Sequence, residues 1–404
     1  MHWRSALGLL ALVVAATVLA GELRPAGEPG DRYLPWEGGA AYYKKWVNGP
    51  PADQGFFPIS VWYQSASNAP RYKAIGVNQY IGPVSRRPGE GLEVLRRAGM
   101  TLIGPQSAAN LASPEKDIIR GWFLFDEPDN AQAKPGGGWG SCILPPAMIQ
   151  QYEEVTAKDS TRPAFLNFGQ AVVNEPWPGR GDVCSGHYEH YAEYIKGADI
   201  VAYDVYPVNE RLPLWWVGKG IDRLRDWAQY RKPVWDWIET TAFNAGPKPT
   251  TDDVKSEVWM SIIHGATGVG YFCHVFKPQA NEAAPLDDPP MREALAALNG
   301  QIRTLAPALN TPSVANGVTA ASSNPVTPID TMLKRQGGAT YLFAMGARPG
   351  GDTTARFQLR GAPRNVTATV LGESRTLNVK GGVFEDRFTG YQVHLYRIPF
   401  LPSK

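Results

Sequence analysis

Gly121-Trp122-Phe123-Leu124-Phe125-Asp126-Glu127-Pro128-Asp129 reads as a strand covered on both faces that stops at two adjacent acids and a proline. An uninterrupted apolar run without polar alternation suits a strand of a parallel sheet with helices on its outer side. Pro128 has no N–H for a sheet ladder, so pairing ends before it. Outward from this run the pattern recurs. Similar apolar runs lie at 57–63, 77–81 and 100–105 before it, and at 164–168, 199–206, 233–238 and 268–276 after it. Amphipathic helical stretches separate them at 91–98, 145–158, 187–196, 220–230 and 252–264, and another follows at 291–305. Only the stretch before Gly121 is too short for a full helix. Strand–helix alternation over 57–307, about 250 residues, is the rhythm and size of a (β/α)8 barrel. An open doubly wound sheet would want a glycine-rich loop after its first strand, and Val61-Trp62-Tyr63-Gln64-Ser65 is not one. Beyond 307 the pattern changes to period-two alternation, as in Ala339-Thr340-Tyr341-Leu342-Phe343-Ala344, which predicts a small antiparallel β-sandwich over 311–404.

Composition narrows the function classes. Of 404 residues, 43% are hydrophobic and 19% charged, enough for a sizeable core. Forty basic and 38 acidic side chains give a net charge of +2 with no run of one sign, which argues against a nucleic-acid partner. Thirteen Trp, 17 Tyr and 14 Phe, many in Pro- and Gly-rich stretches, point instead to ligands that stack. At the amino end, Arg4 precedes an apolar stretch over 6–20 that closes in Val18-Leu19-Ala20. It is shorter than the roughly 20 residues a spanning helix needs, so 1–20 reads as a secretory signal peptide. Residues 21–56 lead into the barrel. The expectation is a secreted or periplasmic protein with no stable membrane insertion after cleavage. Three cysteines, Cys142, Cys184 and Cys273, are too few for a disulfide scaffold and lack metal spacing.

Chemistry in such a barrel sits where strands end. Glu127 ends the fourth run. The seventh, Pro233-Val234-Trp235-Asp236-Trp237-Ile238-Glu239-Thr240-Thr241, places Glu239 in the corresponding position. Two carboxylates about 5 to 5.5 Å apart are what retaining glycoside hydrolysis requires, one as proton donor and one as nucleophile.

On these residues the chain resembles the (β/α)8 retaining glycoside hydrolases that carry the acid/base at the end of strand four and the nucleophile at the end of strand seven. The passage Val254-Lys255-Ser256-Glu257-Val258-Trp259-Met260-Ser261-Ile262-Ile263-His264-Gly265-Ala266-Thr267-Gly268-Val269-Gly270-Tyr271-Phe272 is similar to the helix-seven-to-strand-eight segment of several members. The resemblance implies Glu127 as acid/base and Glu239 as nucleophile. One departure stands out: many members carry Asn before the acid/base, where it contacts the sugar 2-hydroxyl, and here that position is Asp126. Asn174-Glu175-Pro176 matches the commoner Asn-Glu-Pro motif by letters, but it follows strand five and lies only two units before Glu239. In strand six, Asp204 and Tyr206 share a face, and in the resembling enzymes a Tyr there hydrogen-bonds the nucleophile. Trp62, Trp139, Trp177, Trp237 and His274 fall at strand ends or in the loops after them, where rings stack on sugars. His187 and His190 lie three apart on one helical face and read as solvated, with no third ligand expected and no metal or other cofactor. Cys142 and Cys184 fall in the loops after strands four and five, on one face of the barrel, and are expected to pair, with Cys273 a buried thiol. The reading is a retaining glycosidase acting on an oligo- or polysaccharide. A transglycosylase would use the same residues, and a non-catalytic carbohydrate-binding barrel would not need both acids.

Overall fold

A computed structural model describes residues 30–35, 39–174, 183–243 and 246–402. All eight apolar runs form strands: β1 Ile59–Trp62, β2 Gln79–Ile81, β3 Thr101–Pro105, β4 Ile119–Asp126, β5 Ala164–Phe168, β6 Ile200–Asp204, β7 Val234–Glu239 and β8 Gly268–Phe272. They pair in parallel in chain order, and β8 returns to β1, with Ser60 opposite Gly270, to close the barrel. The helices are α1 Ala69–Ala74, α2 Leu92–Arg97, α3 Ala108–Ala112, α4 Pro145–Lys158, α5 Glu189–Tyr194, α6 Pro207–Glu210, α7 Trp216–Trp227, α8 Thr251–Ile263 and α9 Pro289–Leu309. As the sequence suggested, the connection before β4 lacks a full helix, holding the five-residue α3 and a 3-10 turn, Lys116–Ile118.

Strand alternation sends every second side chain inward. Ile81, Ile103, Phe123, Phe165, Ile200, Ala202, Trp235 and Trp237 form one cluster within the barrel. Trp62 closes it at the end where the strands finish. A 3-10 helix, Ala40–Lys45, closes the other end with Tyr42 and Tyr43; the Trp235 indole N–H donates to Tyr43 Oη at 3.2 Å. The indoles of β7 lie across β8, and a Cβ on Gly270 would come within 2.1 Å of the Trp237 ring. That crowding is why strand eight reads Gly-Val-Gly where its neighbours carry bulk. The outward side chains, such as Trp122, Leu124, Leu166 and Val201, pack beneath the helices in a second, larger cluster.

The C-terminal domain has eight antiparallel strands: β9 Val318–Ser322, β10 Ile329–Gln336, β11 Ala339–Gly346, β12 Thr353–Leu359, β13 Asn365–Val370, β14 Arg375–Lys380, β15 Val383–Phe388 and β16 Val393–Ile398. They form one sheet in the order β10-β11-β16-β13-β14-β15-β12-β9. Its two end strands, β10 and β9, approach each other, so the sheet curls over its own core of Leu333, Leu342, Phe357, Phe384 and Tyr396. The domain docks on α8. There Trp259 stacks on Phe343 at 5.7 Å, and His264, just past the helix, bonds Asp222 of α7 and Asp330 of β10. Among the described residues no helix is long and apolar enough to cross a membrane. The expected signal segment, 1–20, lies outside the described residues.

Candidate active site

A cavity of about 480 Å³ opens where the barrel strands end. Its walls are Trp62 from β1, Asp126 from β4 and Glu127 just past it, Asn167 from β5, Asp204 from β6, Trp237 from β7 and Phe272 from β8. Asn130, Gln170, Tyr206, Glu210, Phe243 and Phe276 from the following loops and α6 complete it. The resulting chamber is acidic at its floor and aromatic at its sides.

The β4 end is shaped by two local irregularities. A register shift between Phe123 and Asp126 against β5 brings Asp126 opposite Asn167. Glu127 then adopts φ 41°, a left-handed backbone that non-glycine residues seldom take and that clusters at functional sites. The turn is held from both sides: Glu127 N–H donates to Asn167 O at 3.0 Å, and Asn130 N–H donates to Glu127 O at 3.0 Å. The Asn130 amide also donates to the Glu127 carboxylate at 2.9 Å. Beneath it, buried Asp129 accepts from Gly169 N–H at 3.0 Å and from Tyr191 Oη at 2.7 Å. Burial pushes the Asp129 carboxyl up to about 6 against those bonds.

Three carboxyl groups converge on the floor. Asn167 Nδ2 donates to Asp126 Oδ1 and to Asp204 Oδ1, each at 3.1 Å. Glu127 and Tyr206 are the neighbours of Asp204 on the same floor. Burial, then the neighbouring Glu127 and Asp126 charges, hold Asp204 well above the usual carboxylate range. Burial and Glu127 likewise push Asp126 up to about 7. Groups this close cannot all ionise, so the cluster keeps a proton at neutral pH.

Glu239, expected to face Glu127 across the cleft, ends β7. It is 0% exposed and does not line the cavity. Its Oε1 accepts from Val208 N–H at 2.6 Å and its Oε2 from Asn209 N–H at 2.9 Å. The first turn of α6 swings over the end of β7 and offers two amides that need acceptors, and the carboxylate turns to them. Burial raises Glu239 to about 8 in spite of these bonds. Behind it, Glu257 of α8 is fully buried and also pushed up by burial.

Of the other sequence-predicted residues, Trp62, Trp237, Asp126, Asp204 and Tyr206 line the cavity. Trp139 does not: it stands 54% exposed in the β4–α4 loop, bridged to Ala133. His274 sits behind the wall, its Nε2 against Tyr63 O at 3.2 Å and its ring on Phe272 and Phe276. Trp177 and Glu175 lie outside the described residues. Cys142 and Cys184 are disulfide-bonded, with Cα atoms 6.2 Å apart, and Cys273 is a buried free thiol. His187 and His190 have a third neighbour the sequence reading did not expect: Glu189 lies with them, the nearest ligand atoms all within 4.8 Å. Sequence reasoning missed Asn130, Asn167, Gln170, Glu210, Phe243, Phe272 and Phe276. Asn167 carried a signal, an amide at an inward position of the otherwise apolar run Ala164–Phe168.

No protein-family model and no curated protein matches the chain. Solved structures do. An α-amylase from Geobacillus thermoleovorans, complexed with acarbose, aligns over 85% of this chain and 98% of its own at a TM-score of 0.50 and 9% identity. A GH27 β-L-arabinopyranosidase from Geobacillus stearothermophilus aligns over 90% and 99% at a TM-score of 0.49 and 10% identity. At 9% identity the likeness to the α-amylase is one of fold alone.

Proposed function

We propose that the chain is a retaining glycoside hydrolase in which Glu127 and Asp204 form the catalytic carboxylate pair. The observation that carries this reading is that both acids line one aromatic-walled cavity at the C-terminal face of the barrel, close enough for the Glu127 charge to act on Asp204. Retaining chemistry places its carboxyl groups about 5 to 5.5 Å apart, whereas an inverting pair is opened to roughly 6.5 to 9.5 Å to admit water. Neighbouring acids on one cavity floor suit the first arrangement. Because burial keeps the proton on Asp204, Asp204 gives it to the leaving oxygen while Glu127 attacks the anomeric carbon. Asp204, now ionised, then takes a proton from the water that releases the sugar from Glu127. This exchanges the role the sequence suggests for Glu127 and replaces Glu239. Saccharide binding by an α-amylase of similar fold supports the substrate class. Export is part of the proposal, supported by the apolar stretch 6–20 and by the Cys142–Cys184 disulfide, a bond that persists in oxidising compartments.

A panel of aryl glycosides tests the reading. Asp204→Ala should spare substrates with good leaving groups and be rescued in part by azide. Glu127→Gln should lose several orders of magnitude on all of them, and a 2-fluoro-sugar inactivator should label Glu127. Label on Asp204 would reverse the two roles, and full activity in both variants would sink the pair.

A further inference from the structure

We infer that His187, Glu189 and His190 together hold one divalent transition-metal ion of the zinc class, which pins the start of α5. The nearest ligand atoms of the three side chains all lie within 4.8 Å of one another. Around a tetrahedral ion with bonds of about 2.0 to 2.1 Å, ligand atoms stand roughly 3.4 Å apart, so the cluster has about 1 to 1.5 Å to close. The His187 and Glu189 side chains are 51% and 70% exposed, and their rotation closes it without moving the backbone. That backbone already sets the spacing. His190 N–H donates to His187 O at 3.1 Å, the bond of a first helical turn, which brings the two imidazoles to one side. Their rings lie nearly parallel, 16° apart, with centroids at 5.0 Å. Anchors flank the turn on both sides: His187 N–H donates to the carbonyl of disulfide-bonded Cys184, and Tyr191 Oη donates to buried Asp129 at 2.7 Å.

A second, independent observation is how little other work these donors have. His187 Nδ1 and Glu189 Oε1 are 2.7 Å apart, so one imidazole and the carboxylate are already drawn together. His190 Nδ1 is buried and has no hydrogen-bond partner. Glu193, one turn further along α5, is engaged by Lys196 Nζ at 2.6 Å. The rest of the recess beside His190, Leu144, Pro145, Pro146 and Ile149, is apolar. An imidazole left unsatisfied in this way costs free energy that coordination to an ion offsets. The donor set selects the ion. Two imidazoles and one carboxylate suit zinc and its neighbours cobalt, nickel and copper, whereas calcium and magnesium take oxygen on all sides. Three protein ligands leave the fourth position of a tetrahedral ion to water. None of the three residues lines the cavity, so the ion has no part in the double displacement, and the inference stands apart from the glycosidase reading. Its place is structural, clamping the turn between the Cys142–Cys184 bond and the Tyr191–Asp129 hydrogen bond.

The test is titration of the untagged, chelator-treated full chain with zinc, read by calorimetry and by melting temperature, with cobalt(II), calcium and magnesium in parallel. Zinc should bind at one ion per chain with a Kd of about 10 µM or below and should raise the melting temperature. Calcium and magnesium at the same concentrations should do neither. The cobalt(II) form should show the visible absorption of a four-coordinate ion with nitrogen and oxygen ligands. His187→Ala and His190→Ala should each weaken zinc binding by about 100-fold and Glu189→Gln by about ten-fold, with melting in the absence of metal little changed. No binding at about 100 µM zinc, ten times that Kd, overturns the inference. So does binding that survives both histidine variants or Glu189→Gln, or calcium and magnesium binding as tightly as zinc. The cobalt spectrum and the choice among metals are read on the unsubstituted protein, so a variant that fails to fold does not remove the test.

Discussion

Glu239 and Glu127 look alike in the sequence, each an acid at the end of an apolar strand, yet the structure gives them different work. On the proposed function, Glu239 is a positioning residue. It holds the first turn of α6, and through it Glu210, over the cavity. Glu239→Gln exchanges one acceptor oxygen for a donor facing a backbone N–H, and should cost about 1 to 3 kcal/mol of stability. Turnover should fall roughly ten-fold, whereas loss of a nucleophile costs several orders of magnitude. Denaturant melts beside kcat measurements separate the two, and unchanged stability with abolished turnover would return Glu239 to the chemistry. Asp126 gives a pH prediction of definite sign. Its carboxyl is raised from 3.8 to about 7 in the folded chain, so between those values the native state holds a proton that the unfolded state has lost. Stability contributed by this group therefore falls as pH rises from about 4 to 7. Asp126→Asn should melt higher than the unsubstituted protein at pH 8 and show little advantage at pH 4; a constant difference in Tm across that range would refute the linkage.

At the scale of elements, the site depends on loops tied to one another. The β4–α4 and β5–α5 connections are joined by Cys142–Cys184, a closure of 42 residues. In the chain-entropy treatment such a closure stabilises by roughly 3 to 4 kcal/mol. Replacing both cysteines by Ser should lower the melting temperature by several degrees, and peptide mapping of the unreduced protein should show the pair linked. Cys142 alkylated without prior reduction would contradict the bond. Strand β8 is constrained differently, since the Trp237 ring occupies the space a side chain at Gly270 would need. Gly270→Ala should destabilise by about 1 to 3 kcal/mol through overpacking. It should also disturb ligand binding by displacing Trp237, read as a shifted tryptophan emission with a raised KM.

For the whole molecule, the junction between barrel and β domain combines an apolar contact, in which Met332, Phe343, Met345, Val393 and Leu395 join the core of the barrel, with a charged clasp. His264 lies between Asp222 and Asp330, and these partners raise it from 6.5 to about 10 against the effect of burial. The folded state therefore binds this proton more tightly than the unfolded one. The stability it contributes is fully present below about pH 6.5 and disappears as pH rises through about 10. His264→Gln should lower Tm clearly at pH 6 and much less at pH 10.5, and equal losses at both would rule out the charged clasp. Since Trp259 of α8 is buried beneath Phe343 of the β domain, the two parts should unfold in one calorimetric transition.

The eight barrel strands were legible from the sequence by itself because a strand covered on both faces must be apolar throughout, and such runs are local. So were the break into period-two strands past 307 and the carboxylates at strand ends. Asp204 and Tyr206 could be placed on one face by alternation alone. Which acids meet was a tertiary matter. Glu239 is withdrawn by two amides of a loop some thirty residues upstream, Asp126 is brought to the floor by a register shift against β5, and Asn167 bridges two carboxylates from different strands. Apolar periodicity is a property of neighbours in the chain. Proton sharing among carboxyl groups depends on distance and burial, which exist only once the barrel has closed.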